Sequence, residues 1–263
     1  MKIIVCIKQV PDTEAQIKIN SDGSGIVAEG IKWVLNPYDE FAVEEAIRVK
    51  ERLKEGEVTV ITLGSQQAKE ALRACLAMGA DKAVHLADEA FTGADSGATA
   101  LILSLAIKNM EYDIILCGKQ AVDGDMAQVG SSLAEFLDMP FVSNITKLEI
   151  SADKKSAKVQ RETEGASEII ESTLPAVFSA QKGLNEPRYA SLMGIMQAKK
   201  KEIKEIKAQD LGIEKETVKQ MSKMHLLKFS PPTQRPPGRM IQGEPRDTAI
   251  ELVKLLHEEA KVI

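Results

Sequence analysis

Residues 57–86 read EVTVITLGSQQAKEALRACLAMGADKAVHL, and the reading of this stretch settles the fold class. Glu57–Leu63 is a β-branched run of strand length. The period then changes: over Gln66–Met78, Ala71, Leu72, Cys75 and Leu76 fall three and four apart, on one face of a helix. Gly79 closes that helix, and Lys82–Leu86 is a second strand. Two strands joined through a helix require a parallel crossover.

The same alternation continues on both sides. Upstream, Lys2–Val10 is a compact apolar run that reads as a first buried strand. Two short alternating segments, Ile17–Asn20 and Gly25–Ala28, then predict a hairpin. Asn36-Pro37 opens a helix: Asn36 suits the cap, Pro37 the first helical position, and Asp39 and Glu40 the positive end of the dipole. Ala42, Ala46, Val49 and Leu53 give that helix one buried face, and Gly56 ends it. Downstream come the Gly93–Gly97 turn, a helix over Ala98–Met110, a strand over Asp113–Cys117, a glycine-punctuated loop, and a helix over Gln128–Leu137. The expected architecture is α/β, a doubly wound and mostly parallel sheet. An antiparallel hairpin over Lys158–Glu164 and Glu168–Thr173 follows, then a last buried strand, Ala176–Ala180. Beyond Lys182 the apolar pattern thins into a Met/Leu segment, a lysine cluster, the proline-rich run Pro231–Pro237 and an amphipathic helix, Thr248–Ala260. The expected organisation is a ligand-binding α/β domain over residues 1–182 and an extended C-terminal arm over 183–263 that embraces another subunit.

The 263 residues carry 34 basic and 39 acidic side chains, a net charge of −5, which argues against a dedicated nucleic-acid binder. The three cysteines, Cys6, Cys75 and Cys117, stand far apart in an odd number, as expected of a reducing, cytoplasmic compartment. Ile3–Ile7 is too short for a secretory segment, and no stretch reaches the roughly 18 apolar residues of a transmembrane helix.

In an open α/β sheet, ligands bind beyond the carboxyl ends of the strands, so the loops after Cys6, Leu63 and Cys117 should converge on one crevice. Gly118, Gly124 and Gly130 allow close backbone approach, and the helix that follows presents unpaired N–H groups suited to a pyrophosphate. Asp125, three residues before Gln128, has the spacing of a capping box, and Asp123 would suit a ribose hydroxyl. Asn36-Pro37-Tyr38-Asp39 is a second candidate at the crevice mouth. The same residues also describe an ordinary helix start and a ligand-free turn. No G-x-S-x-G, H-E-x-x-H or G-x-x-x-x-G-K-[ST] motif occurs, and His85, His225 and His257 lack ligand spacing, so neither autonomous catalysis nor a metal site is expected. Lys199-Lys200-Lys201, continued by Lys204 and Lys207 but diluted by Glu202 and Glu205, reads as a solvated helix face or a docking surface. Leu192, Met193, Ile195 and Met196 form an apolar cluster beside it.

These residues together resemble the beta subunit of electron-transfer flavoproteins along almost the whole chain. The resemblance is carried by Val5-Cys6-Ile7-Lys8-Gln9-Val10, Asn36-Pro37 with Ala42-Val43-Glu44-Glu45-Ala46, and Ala77-Met78-Gly79-Ala80-Asp81. Gly118-Lys119-Gln120-Ala121 with the Asp123–Gly130 loop, and Asn185-Glu186-Pro187-Arg188-Tyr189, complete it. It implies that a nucleotide touches Cys6, Asn36, Pro37, Tyr38, Asp39, Leu63 and Gly64. The contacts continue along Gln120, Ala121, Val122, Asp123, Gly124, Asp125, Met126, Ala127, Gln128, Val129, Gly130 and Ser131. It further implies a recognition loop anchored by Leu192, with Met193, Ile195 and Met196 beside it, and a heterodimer with an alpha subunit that holds most of the catalytic FAD. Some members of this group carry AMP in the beta-subunit crevice; electron-bifurcating members carry a second FAD there.

The Asp123–Gly130 loop and Gly93-Ala94-Asp95 look more like the FAD-carrying group. Met126 and Ser131-Ser132 depart from its pattern, and the lysine-rich stretch looks like the AMP-carrying one. The implied donors are acyl-CoA dehydrogenase-type or other flavoenzymes, with NADH an additional hydride source if a second FAD is present. The rival reading, an adenine-nucleotide-sensing α/β module, leaves the long tail without a use.

Overall fold

The computed structural model describes residues 1–233 and 237–263. Its elements are, in order, β1 (Lys2–Cys6), β2 (Gln9–Pro11), β3 (Trp33–Leu35), α1 (Pro37–Leu53), β4 (Glu57–Leu63), α2 (Lys69–Met78), β5 (Lys82–Leu86), α3 (Ser96–Ile107) and β6 (Ile114–Gly118). They continue as α4 (Val129–Leu137), β7 (Phe141–Ile150), β8 (Ser156–Thr163), β9 (Ala166–Thr173), β10 (Ala176–Ala180), α5 (Leu192–Lys200), β11 (Ile203–Ile206), α6 (Lys215–Met221) and α7 (Pro245–Glu258). Part of the proline-rich run Pro231–Pro237 lies outside the described residues.

Nine strands form one sheet in the order β11-β5-β4-β1-β6-β10-β7-β8-β9. All neighbours from β11 to β7 are parallel, and β8 and β9 add the expected antiparallel hairpin. Helices cover both faces of the parallel part, so β1 is apolar at every buried position. Ile3, Val5 and Ile7 pack with α1 and α2, while Ile4 and Cys6, one residue out of phase, pack with α3 and α4. No helix among the described residues is long and apolar enough to cross a membrane.

Local structure departs from expectation where long-range contacts override local signals. The first strand breaks after Cys6: β2 leaves the large sheet and pairs with β3. The Ile17–Asn20 and Gly25–Ala28 hairpin shrinks to a single bridge, Ile19 to Ile26. α1 ends at Leu53 with Lys54 in the left-handed conformation, ahead of Gly56. β7 carries little sequence signal, because Asn144 sits at φ 57 and the register against β10 shifts, which breaks the two-residue period.

The lysine cluster is not one solvated helix face. Lys199 and Lys200 end α5, and Ile203-Lys204-Glu205-Ile206 then becomes β11, an edge strand whose charges keep the sheet border in water. Glu205 pairs with Lys69 and Lys207. The chain beyond Lys182 is thus partly built into the body, with α5 packed on α2 and α6 on α3.

Candidate functional site

The strand order reverses at β1: β4 and β5 lie to one side, β6 to the other. Beyond the carboxyl ends of β1 and β6 opens a cavity of about 310 Å³, at the switch point where doubly wound sheets hold their ligands. Its volume is at the lower end of small-molecule sites, about 300–1,000 Å³. The floor is Cys6 and Cys117, which stand opposite each other in the β1–β6 register. Leu63 and Leu103 add apolar wall, and the loop 118–130 forms the roof except for Val122 and Asp123.

Two buried polar side chains hold this architecture together. Asn36 stands at the start of α1 but does not cap it. Its Nδ2 donates to Gln120 O (2.9 Å) and its Oδ1 accepts from Val122 N (3.1 Å), so it pins the roof loop. Asp39 reaches across the switch point: Oδ2 accepts from Lys8 N (2.7 Å) and Oδ1 from Gly118 N (3.0 Å), tying the ends of β1 and β6 to α1. Position 118 has to be glycine, because a Cβ there would overlap the Asp39 carboxylate and lie 2.8 Å from its backbone nitrogen. Burial pushes the Asp39 carboxyl up to about 7, against these donations and that of Asn36.

The floor thiols are not nucleophiles. Burial first, and then the nearby Asp39, push Cys117 up to about 12. Burial, Cys117 and Asp39 together raise Cys6 well above the ordinary thiol range. His85 is buried on β5 with Nε2 3.1 Å from Gly64 O, and burial lowers its pKa, so it buttresses the β4 loop as a neutral ring.

The capping-box expectation for Asp125 does not hold. α4 starts at Val129, and Asp125 instead accepts from Gln120 Nε2 (2.7 Å) within the loop. Asp125 and Ala127 are both left-handed, at φ 50 and 52, a conformation that costs a non-glycine residue roughly 1–2 kcal/mol. The helix that follows has no side-chain cap, so its first-turn N–H groups are open to the crevice through Gln128, Val129 and Gly130. Gly124 faces open space. Asp123 forms an ion pair with Lys8 Nζ (2.7 Å).

Of the sequence-predicted residues, Cys6, Asn36, Asp39, Leu63, Gln120, Ala121 and Gly124–Gly130 line this one cavity. Pro37, Tyr38, Gly64, Val122, Asp123 and Ser131 stand behind or beside it. Sequence reasoning missed Ile7, Lys8, Lys119 and the wall made by Ala94, Asp95, Ser96, Thr99 and Leu103. Asp95 caps α3 through Ala98 N (2.8 Å), a signal legible in its position before the helix. It also accepts from Lys223 N and Met224 N, so the tail leaves the body at the crevice wall.

A second surface lies apart from the crevice. α5 is held on α2 by buried Ala198, by the close approach of Gly194 to Ala77 O, and by Arg73, whose guanidinium donates to Ala198 O and Lys201 O. Its other face carries Leu192, 83% exposed, with Met193, Ile195 and Met196. α1 secures the approach to it: Arg188 pairs with buried Glu44 (2.8 Å) and with Glu51 (2.7 Å), and Asn185 Nδ2 donates to Phe41 O (3.0 Å).

The fold and site define a doubly wound α/β protein with a crevice at its switch point and, apart from it, an exposed apolar helix face. Comparison with known proteins narrows the class. Residues 24–211 match the family described as electron transfer flavoprotein domain. The chain is 43% identical to the electron transfer flavoprotein subunit beta of Bacillus subtilis, with all of both chains covered. It is 41% identical to the caffeyl-CoA reductase-Etf complex subunit CarD of Acetobacterium woodii, over 98% of this chain and 99% of that one. To the human electron transfer flavoprotein subunit beta it is 36% identical, over 100% of this chain and 99% of that one. The chain belongs to the electron-transfer-flavoprotein family, among its beta subunits, and its role is that of an electron-transfer subunit.

Proposed function

We propose that the switch-point crevice holds the adenine-nucleotide part of FAD, with AMP the alternative occupant, and that the chain works as a heterodimer with an alpha subunit. The observation that carries this reading is the uncapped amino end of α4, whose first residues line a cavity roofed by the loop 118–130, with Gly124 facing free space.

Gln128, Val129 and Gly130 would hold the phosphates through N–H groups that have no helical partner. Asn36 and Asp39 fix the two loops after β1 and β6 that form the mouth. Cys6, Leu63 and Leu103 supply a dry, unreactive wall for the base. Bound flavin supplies the redox chemistry, and the protein supplies position and electrostatics. The Asp123–Gly130 loop favours FAD, and with FAD present NADH would be an additional hydride source for the complex. The face of Leu192, Met193, Ile195 and Met196 would dock acyl-CoA dehydrogenase-type or other flavoenzyme donors, apolar anchors next to charge, here Lys199 and Lys200 at the end of α5, being suited to transient contact.

The test is co-expression with the alpha subunit, purification, and quantification of nucleotide released on denaturation. A second FAD per heterodimer and no AMP is the expected result. One FAD with one AMP supports the simple carrier, and a complex with flavin only in the alpha subunit and no AMP overturns the reading of the crevice.

A further inference from the structure

Lys8 lines the crevice but its amine points to the loop's outer lip, where Asp123, itself outside the lining, takes it with both oxygens (2.8 and 2.7 Å). The root of Lys8 is fixed, because its backbone N–H is held by Asp39 (2.7 Å). Its side chain is 50% exposed and the ion pair faces water, so the pair is weak and readily exchanged. The three carboxylates that do line the crevice already have donors. Asp39 has Lys8 N and Gly118 N, Asp95 has Ala98 N, Lys223 N and Met224 N, and Asp125 has Gln120 Nε2. Two lysines line the crevice, Lys8 and Lys119, and Lys8 is the one whose amine is held by an exposed carboxylate at the lip, a partner that a phosphate entering at the amino end of α4 can displace.

We propose that Lys8 gives the crevice its preference for a phosphate-bearing ligand and that Asp123 competes with that phosphate for the Lys8 amine. The inference rests on the reading of the crevice as a nucleotide site and adds its charge selectivity. In the ligand-free chain Asp123 neutralises the lysine; on binding, the amine moves from carboxylate to phosphate, a stronger charge-assisted contact inside a partly closed site. Asp123 is thus an internal competitor, and its removal raises affinity.

The probes are AMP, whose atoms FAD shares, and adenosine, titrated calorimetrically into the heterodimer after its crevice nucleotide has been removed by dialysis against chaotropic salt. Lys8→Gln should weaken AMP about tenfold and leave adenosine within about twofold. Asp123→Asn should tighten AMP and leave adenosine alone, and the wild-type AMP preference should shrink with added salt. Loss of both probes alike in Lys8→Gln, or weaker AMP binding in Asp123→Asn, would make the pair a loop tether and overturn the proposal. Equal wild-type affinity for AMP and adenosine would overturn it while leaving the crevice reading intact. If neither probe binds the wild type, the crevice reading falls and takes the proposal with it.

Discussion

Asn36 and Asp39 stand where local logic assigns a helix cap and a dipole charge, yet both side chains serve loops far away in sequence. Asn36→Ala would leave Gln120 O and Val122 N without their partner, at a cost of about 1–3 kcal/mol. Urea unfolding should show that loss, and the purified complex should retain less nucleotide. For Asp39 the sign is set by burial, which raises the folded value to about 7 from 3.8. Between those values the folded chain keeps a proton that the unfolded chain has released. Its contribution to stability is therefore full below about pH 4 and is lost as the pH rises through 7. Asp39→Asn removes that titration, so its stability relative to wild type should improve from about pH 5 to about pH 8. A relative stability that stays flat over that range would mean that the two backbone donations keep Asp39 ionised. Gly124→Val has room for its side chain, so the variant should fold normally and lose crevice nucleotide. Unchanged occupancy would remove Gly124 from the site.

At the scale of elements, α2 and α5 separate core from surface. Leu72 on α2 is fully buried, and Leu72→Ala should cost about 2–5 kcal/mol in chemical denaturation. Leu192 begins α5 and is exposed, so Leu192→Ala should change stability by no more than about 0.5 kcal/mol. The same change should slow electron transfer from a flavoenzyme donor without altering the flavin spectrum. A large stability loss there would mean that Leu192 packs against the body after all. β11 marks where element-level reading fails: its Lys204 and Glu205, following the lysines that end α5, resemble a solvated helix. Pairing with β5 makes it a strand, and the charges that hide it protect the sheet edge.

At the scale of the whole molecule, the chain after Ser222 departs from the crevice wall at Asp95 and returns to the body where Phe229 N donates to Gly23 O (2.9 Å). Leu227 is 94% exposed, and α7 buries none of its residues, including Ile250, Leu252 and Val253. Apolar surface of this kind asks for a partner. A chain ended at Ser222 should keep the helix and strand signals of the body in circular dichroism and fail to co-purify with the alpha subunit. Co-purification undiminished by the truncation would place the heterodimer contact on the body.

The alternation of strand and helix was legible in the order of residues because the periods of two and of three-to-four are local, and a doubly wound sheet follows from them with little freedom. So were the switch-point loops, since ligand sites in such sheets lie at strand carboxyl ends. What the order of residues left open was the work of each polar side chain. Asn36 meets Gln120 84 positions away, Asp39 meets Gly118 at 79, and Lys8 meets Asp123 at 115. Contacts over such distances leave no periodic trace, because they depend on which loops the finished sheet brings together. The folded sheet thus turned a helix cap into a loop pin, a dipole charge into a bridge across the switch point, and the charged segment after the lysine run into a protected edge.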